Sequence, residues 1–331
     1  MKKKLRILVT TITSLLVVLS LTSCGKSQST STETDGSKKL FTIRMVTQTS
    51  FNELNIADEL GYFKEQGIKI QYTGVLKPGI TEYQLIAQGI NDAFVGGHPP
   101  NVAQARLAGI KVTAVAPGMV DNPKYPHVRY LVKNDSPIKT LDDINGKKVS
   151  ISGVGGCTDG YIKYYLKQKG KTENIKWVTL PNPGQQEQSL VQGLVDVTTS
   201  HPPYAGLAVA AGGVREIGTS WDILHSPGAG LSVRGFSDQF IKEHPDVVKG
   251  FTEALYKAHV YINSHPKESK EIIAKWLKLK PDDLSAFWYD EDKTINPEYI
   301  NKWFDISQSI GLWKKGDIKP TDIYTNAYAP K

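Results

Sequence analysis

Short runs of β-branched and aromatic residues alternate with longer amphipathic stretches through the middle of the chain. The apolar runs predict seven strands, over residues 41–46, 68–72, 92–95, 112–116, 148–151, 177–180 and 195–199. Helical patterns lie between most of them, so the alternation predicts an α/β protein with mainly parallel sheets flanked by helices. In such sheets, ligands bind beyond the carboxyl ends of the strands, where loops lead into helices.

The last hundred residues show a helical pattern instead. Apolar residues recur there at spacings of three and four, namely Val247, Phe251, Leu255, Ala258 and Ile262. Pro245 suits the first turn of this helix, and a second helix is expected over residues 266–277. The pattern predicts a helical C-terminal region that packs on a core. We assign its tryptophans to packing, namely Trp276, Trp288, Trp303 and Trp313.

An internal repeat links two distant parts of the chain. The segment 88–100 recurs, one residue shorter, as the segment 192–203. In each copy a Gly-x-x-Asp turn leads into a short strand, and a His-Pro-Pro sequence then opens a helix. The repeat predicts two related lobes, with His98 and His201 at equivalent strand-to-helix junctions facing each other across a cleft.

The N-terminus has the pattern of a secretion signal. Lys2, Lys3, Lys4 and Arg6 precede an uncharged apolar run over residues 7–21, which is too short for a spanning helix. The small residues before Cys24 resemble a bacterial lipobox, so residues 1–23 are expected to be removed and Cys24 to carry a lipid. Residues 24–39 are rich in Ser, Thr, Gly and charge, and are expected to form a flexible tether.

Charge and cysteine content narrow the class of protein. Removal of residues 1–23 lowers the formal net charge from +7 to about +3, which does not support nucleic-acid binding. The remaining 308 residues are long enough for two lobes. Cys157 is then the remaining free thiol, so no internal disulfide is expected. We expect a monomer anchored to the outer face of the cell membrane by its lipid.

Three loops have the chemistry of a ligand site and follow predicted strands. The first loop holds Gln48, Ser50 and Phe51, and Ser50 with Glu53 is predicted to form a helix capping box. The second and third are the two His-Pro-Pro turns. Their candidate ligand contacts are Gly97, His98 and Asn101 in one turn and His201 and Tyr204 in the other.

A fourth loop, glycine-rich, runs from Gly153 into a helix and offers backbone N–H donors to an anion. Its candidate contacts are Cys157, Thr158 and Asp159, and Asp159 argues against a multiply charged anion. Cys157 is expected to be a packing thiol, because no base can be assigned to it. A transition metal held by His98, His201, Cys157 and Asp159 is conceivable, but their spacing is no metal motif. We therefore predict no metal and no cofactor.

Several segments resemble the substrate-binding proteins of bacterial nitrate, taurine and alkane-sulfonate importers, which share a fold with thiamine-pyrimidine synthases. The resemblance covers nearly all of the chain after the tether, and its marks are residues 57–68, 87–92, 136–149 and 243–248. It implies a two-lobe periplasmic-binding-protein fold of type II that closes on its solute by hinge motion. Lobe I would take residues 40–128 and 232–331, and lobe II residues 129–231.

The resemblance also implies a function. The chain would capture a small organic anion or zwitterion, such as a sulfonate, and deliver it to the permease of an ABC transporter. By the same resemblance Trp221 lies in a segment that returns to the cleft. An alternative ligand is a neutral aromatic heterocycle such as a thiamine precursor, with Tyr204 and Trp221 as stacking walls. An enzyme like the thiamine-pyrimidine synthases is the alternative of another class, and the secretion signal argues against it.

Overall fold

The computed structural model describes residues 34–35, 38–77, 79–182 and 184–331. The predicted signal peptide and the lipid-bearing Cys24 lie outside the described residues, as does most of the tether. The part from residue 32 onwards forms one compact unit. Within the described part, no helix is both long enough and apolar enough to cross a membrane.

The described residues alternate between short strands and helices. The strands are β1 (Thr34–Asp35), β2 (Lys38–Lys39), β3 (Phe41–Met45), β4 (Ile68–Tyr72), β5 (Ala93–Phe94), β6 (Val112–Pro117), β7 (Met119–Val120), β8 (Arg129–Lys133), β9 (Lys148–Ile151), β10 (Lys176–Thr179), β11 (Val197–Ser200), β12 (Val214–Thr219), β13 (Val233–Ser237) and β14 (Trp288–Tyr289). The helices are α1 (Glu53–Glu59), α2 (Tyr62–Glu65), α3 (Glu82–Ala87), α4 (Pro99–Leu107), α5 (Cys157–Gln168), α6 (Gln185–Val191), α7 (Tyr204–Ala211), α8 (Ser220–Leu224), α9 (Asp238–Glu243), α10 (Pro245–Ser264), α11 (Pro266–Leu277) and α12 (Pro297–Ser309).

The central sheet has five strands in the order β10-β9-β11-β8-β12. β9 pairs parallel with β10 and β11, whereas β8 pairs antiparallel with β11 and β12. The parallel strands are joined through helices α5 and α6, as parallel connections require. The carboxyl ends of β9 and β11 therefore lie at the same edge, and the loops that follow them meet there.

The strands of the first part of the chain follow the same plan. β3 pairs parallel with β4, and β13 lies antiparallel between β5 and β6. A hydrogen bond from the amide of Asp92 to the carbonyl of Arg44 (2.9 Å) sets β3 beside the start of β5. The resulting order β4-β3-β5-β13-β6 matches that of the central sheet, strand for strand. This correspondence supports the relation between two lobes that the repeat predicts, while the boundaries at residues 128 and 232 remain a prediction.

Helices cover both sets of strands and bury most of the apolar residues. α10 begins at Pro245, whose missing N–H is harmless in a first turn, and buries Phe251, Leu255, Ala258 and Ile262 on one face. α12 packs against both α4 and α5, and its Trp303 is 1% exposed. Trp313 is also buried in the core, and Trp276 packs its ring on Tyr72. The tryptophans thus lie where the sequence analysis places them.

The predicted α/β class is confirmed, with one correction. The seven predicted strands are all present, to within one or two residues at their ends. Pairing is not mainly parallel, because β8 and β13 each enter their sheet antiparallel to neighbouring strands. Strands β8, β12 and β13 were not among the predicted strands, and β8 and β13 are the ones that bring antiparallel pairing into the two sets.

Candidate functional site

The four predicted loops converge on one pocket of about 350 Å³. Its lining comes from the loops after β3, β5, β9 and β11, with further residues from four other segments. The described lining residues are Thr49, Ser50, Gly97, His98, Asn101, Met119, His127, Ser152, Gly153, Val154, Gly156, Cys157, Thr158, Pro181, Asn182, Gly184, Gln186, Glu187, His201, Pro202, Tyr204, Ser232 and Phe287. The volume suits a small molecule.

His98 lies at the centre of this pocket because it precedes the first turn of α4. Its Nδ1–H donates to the carbonyl oxygen of Leu231 (2.7 Å), which fixes the proton on Nδ1 and makes Nε2 the acceptor of a hydrogen bond from Nε2–H of His127. That Nε2 lies 3.2 Å from Nε2 of His127, and the two rings meet edge to face. Trp303 packs against the other side of His98, with the ring centroids 5.0 Å apart.

His127 was not among the predicted site residues, yet it links the two halves of the pocket. It lies just before β8, and its ring centroid is 5.1 Å from that of His201. Its ring stacks on Phe287, and its Nδ1 is buried without a hydrogen-bond partner. His127 belongs to no recognised sequence motif. Its position beside His98 and His201 is therefore visible only in the folded chain.

Cys157 is the first residue of α5, and its sulfur points into the pocket. The Sγ atom lies 3.3 Å from Nε2 of His201. The sequence offered no base for this thiol, and the structure places one beside it. Burial raises the pKa of the Cys157 thiol well above its usual range, so the thiol stays protonated at neutral pH.

The three imidazoles are uncharged at neutral pH. Burial lowers the pKa of His98 to about 4 and that of His201 to about 3. Burial and the neighbouring histidines also hold the pKa of His127 well below its usual range. A neutral imidazole keeps one lone pair for a ligand or a metal, so the cluster is a set of uncharged donors and acceptors.

The glycine-rich loop before α5 is held by Asp159, which does not line the pocket. The N–H groups of Gly155 and Gly156 donate to Oδ1 of Asp159 (2.9 and 3.2 Å), and Lys163 donates to Oδ2 (2.7 Å). Asp159 was expected to contact a ligand. It is fully buried and closes the loop instead, since its carboxylate accepts both of those amides.

The loop after β3 also differs in part from the prediction. Helix α1 begins at Glu53 with Asn52 as its N-cap, so the predicted Ser50–Glu53 capping box is wrong. Glu53 is instead fully buried, with Oε1 accepting from Nε of Arg234 at 2.6 Å. Ser50 does line the pocket, whereas Phe51 is buried in the core.

Two further candidate residues lie outside the pocket. Trp221 belongs to the short helix α8 and is absent from the described lining. Gln48 lines an adjoining outer cavity of about 540 Å³, which shares Ser50 and residues 152–154 with the pocket. Lys77 is the one basic side chain among the described residues around that outer cavity.

Tyr204 lines the pocket and connects its two sides. Its hydroxyl donates to the carbonyl oxygen of Thr49 (2.9 Å), so α7 is tied to the loop after β3. Since Thr49 follows a strand of the first set and Tyr204 follows β11 of the central sheet, this bond spans the pocket. Any opening of the pocket along this line must break it.

The electrostatic character of the pocket is nearly neutral. Among the described lining residues no Lys or Arg is present, and the one carboxylate is Glu187. Helix α4 adds little positive potential, because its first two residues are Pro99 and Pro100 and lack N–H groups. The helices α5, α6 and α7 also begin at the pocket, with Cys157, Gln186 and Tyr204 in their first turns.

One group of side chains has the composition of a metal site. The candidate ligand atoms of His98, His127 and Cys157 all lie within 4.8 Å of one another. The sequence analysis considered His98, His201, Cys157 and Asp159 for this role. The structure turns Asp159 away and brings His127 into its place.

The fold and the pocket define the class. A pocket enclosed by the loops of two similarly ordered strand sets is typical of the periplasmic-binding-protein fold, in which a solute lies between two lobes. Residues 48–269 match the family described as NMT1/THI5 like, and the chain belongs to that family.

Known proteins support the same fold. The chain is 27% identical over 204 residues to the "Putative aliphatic sulfonates-binding protein" of Escherichia coli (strain K12), a match that spans 61% of this chain and 60% of that relative's length. The crystal structure of the periplasmic aliphatic sulphonate binding protein SsuA from Escherichia coli superposes with a TM-score of 0.64, at 22% identity and over 81% of this chain and 85% of that one. The alkanesulfonate-binding protein SsuA from Xanthomonas axonopodis pv. citri, bound to MOPS, gives 0.70 at 17% identity, over 86% and 98%.

Proposed function

We propose that this chain is the extracytoplasmic receptor of an ABC importer, which captures a small solute in the pocket and delivers it to the permease. The observation that carries the proposal is the convergence of loops from both strand sets on one pocket. The family and the fold support it, since the relatives named above are binding proteins of this kind. The predicted signal peptide and the lipid on Cys24 would keep the receptor at the outer face of the membrane.

The lining favours a solute with little net charge. The sequence analysis expected a small organic anion or zwitterion, as the names of the relatives also suggest. A sulfonate needs charge compensation when it leaves water, and the described lining supplies no Lys or Arg for it. A zwitterion could place its negative end at the N-terminus of α5 and its positive end at Glu187. We therefore favour a zwitterionic or neutral polar solute over a simple sulfonate.

A neutral aromatic heterocycle remains the second candidate. The rings of Tyr204 and Phe287 line the pocket, and His127 stacks on Phe287 at 5.2 Å between centroids. These faces would pack on a planar ring, while the imidazole nitrogens would bind its polar edge. Trp221 is no longer part of this proposal, because it lies outside the described lining.

An enzymatic role has less support. Cys157 with His201 has the composition of a nucleophile and its base, at 3.3 Å between Sγ and Nε2. Activation of a thiol requires a lowered pKa. Here the pKa of Cys157 is raised and that of His201 is lowered, so the neutral pair is favoured over thiolate and imidazolium. We propose that the pair binds rather than reacts.

A thermal-shift screen of the chain, purified in mild detergent with a chelator present, tests the proposal. Sulfonates, nitrate, amino acids, betaines and thiamine precursors would be screened at high concentration. A solute at a hundred times its Kd adds about 2.7 kcal/mol, which raises Tm by roughly 5–10 °C. The shift should disappear in His201→Ala and persist in His265→Ala, whose exposed side chain lies outside the described lining. A shift that survives in His201→Ala would place the binding site elsewhere.

A further inference from the structure

The side chains at the centre of the pocket are donors of a kind that organic solutes rarely need. His98, His127 and Cys157 come from three separate segments, and each is less than 9% exposed. Their candidate ligand atoms lie within 4.8 Å of one another. His201 stands beside them, with Nε2 at 3.3 Å from Cys157 Sγ. Two imidazoles and one thiol therefore lie around one point, and a third imidazole lies next to the thiol.

The surroundings of His98 match those of a metal ligand. In metal sites the second ring nitrogen of a ligating histidine usually donates to a carboxylate or a backbone carbonyl, which fixes the tautomer. Nδ1 of His98 donates to the carbonyl oxygen of Leu231 at 2.7 Å in this way. The unprotonated Nε2 then faces Nε2 of His127 at 3.2 Å.

The distances between donor atoms also fit a single ion. Tetrahedral zinc with Zn–N of about 2.0–2.1 Å and Zn–S of about 2.3 Å separates two nitrogens by roughly 3.3 Å and a nitrogen from a sulfur by roughly 3.5 Å. The observed separations are 3.2 Å between the Nε2 atoms of His98 and His127, and 3.3 Å between Cys157 Sγ and His201 Nε2. Each pair therefore has the spacing of two ligands on one tetrahedral ion, and Cys157 belongs to the group that also holds His98 and His127.

We propose that His98, His127 and Cys157, with His201 as fourth ligand, bind one borderline or soft transition-metal ion, with Zn²⁺ and Cu⁺ as the first candidates. Imidazole and thiolate donors suit these ions, and the absence of carboxylates from the donor set disfavours Mg²⁺ and Ca²⁺. Met119 lines the same pocket and adds a thioether, which also suits Cu⁺. On binding, the Cys157 thiol releases its proton to solvent and the thiolate balances one positive charge of the ion.

This inference deepens the proposed function. The role of the bound ion in solute capture rests on that proposal, whereas the binding of the ion does not. With Cu⁺ the thiolate complex is neutral, so the ion itself would be the captured solute. With Zn²⁺ the complex keeps one positive charge, which would supply the cation that the lining lacks for an anionic solute. In both cases the metal binds to residues of this chain alone, and its binding can be measured without an importer.

Cobalt substitution tests the site directly. The chain would be purified in mild detergent, stripped with EDTA and titrated anaerobically with Co²⁺ as a spectroscopic probe for Zn²⁺, and separately with Cu⁺. We expect one equivalent of each to bind, with the charge-transfer band of a Co²⁺–thiolate bond and the intense d–d bands of tetrahedral Co²⁺. Cys157→Ser should lose the charge-transfer band. His98→Gln and His127→Gln should weaken binding by more than about 100-fold, since loss of even an outer-shell partner costs 10–100-fold.

His265→Gln is the matched control, because His265 is an exposed histidine of the type that binds metals adventitiously. It should bind like the wild type. In the wild type itself, Zn²⁺ should protect Cys157 from iodoacetamide, read on its peptide by mass spectrometry, which needs no variant to fold. Binding that is unchanged in the pocket variants, or a thiol that Zn²⁺ leaves unprotected, would overturn the metal site. The chelated solute screen described above would still report on the proposed function.

Discussion

Glu53 and Arg234 form a fully buried ion pair beneath the pocket. Burial alone would raise the pKa of Glu53, but the Arg234 guanidinium and His259 hold it at about 2. Sequence analysis read Glu53 as a capping residue, because its partner lies 181 positions away and no local pattern reveals it. A pair of this kind depends on the fold, and so it could not be predicted from spacing.

Removal of one partner of this pair should be costly. Arg234→Met leaves the Glu53 carboxylate buried and uncompensated, so we expect the free energy of unfolding to fall by about 3–5 kcal/mol. Chemical denaturation followed by tryptophan fluorescence measures it. Lys275→Met, which breaks the exposed pair with Glu59, should change the same quantity by less than about 1 kcal/mol. Equal effects of the two substitutions would refute a structural role for the buried pair.

Glu82 makes the stability depend on pH. Burial raises its pKa to about 7, although Oε2 accepts the amides of Val95 and Gly96, which lead to His98. The folded state therefore holds this proton more tightly than the unfolded chain does. The resulting stability is fully present below about pH 4.5 and is lost as the pH rises through about 7.

The Glu82→Gln variant should remove this contribution. Between about pH 4.5 and 7, we expect the free energy of unfolding to change by about 2 kcal/mol less in the variant than in the wild type. Denaturant titrations at several pH values measure it. Glu268→Gln, at an exposed position on α11, should leave the wild-type profile unchanged. A Glu82→Gln profile as steep as that of the wild type would mean that another group titrates.

At the scale of elements, the sequence predicts the positions of helices and strands better than it predicts the contacts of single residues. Helices α7 and α11 and strands β4 and β9 lie at the predicted residues, because proline and glycine signals bound their apolar runs. The four loops also come together as predicted, since they follow corresponding strands in the two similarly ordered strand sets. The loop from β7 to β8, which carries His127, contains Pro123 and Pro126, but these signals predict a turn and do not indicate that the turn reaches the pocket. It reaches the pocket only because the chain crosses there between the two strand sets.

The start of α5 offers a test at this scale. Asp159 accepts two amides of the glycine-rich loop, and Asp159→Ala leaves both without their acceptor. We expect a loss of about 1–2 kcal/mol in unfolding free energy, and a weaker hold on any ligand that contacts Cys157. Asp246→Ala is the matched control, because Asp246 is an exposed acid in the first turn of α10. Calorimetric unfolding of both variants checks the difference, and equal losses would count against the capping role.

For the whole molecule, we propose that the bond between Tyr204 and Thr49 stabilises the closed, solute-bound pocket. Tyr204→Phe removes that hydroxyl and keeps the ring. Because one hydrogen bond contributes about 0.5–1.5 kcal/mol, solute affinity should fall about 3- to 10-fold. Isothermal titration with the solute found in the screen measures the affinity. Tyr164→Phe, on α5 and outside the described lining, should bind as the wild type does. An unaltered affinity in Tyr204→Phe would show that the bond plays no part in closure.

The crystal structure of the chain with its best solute tests the central claim most directly. The account predicts electron density for the solute between His98, Cys157 and His201, with Tyr204 still bound to Thr49 across the pocket. It also predicts that the loops after β3 and β11 enclose the solute from opposite sides. Density for the solute at any other place on the molecule, with this pocket filled only by water, would contradict the account.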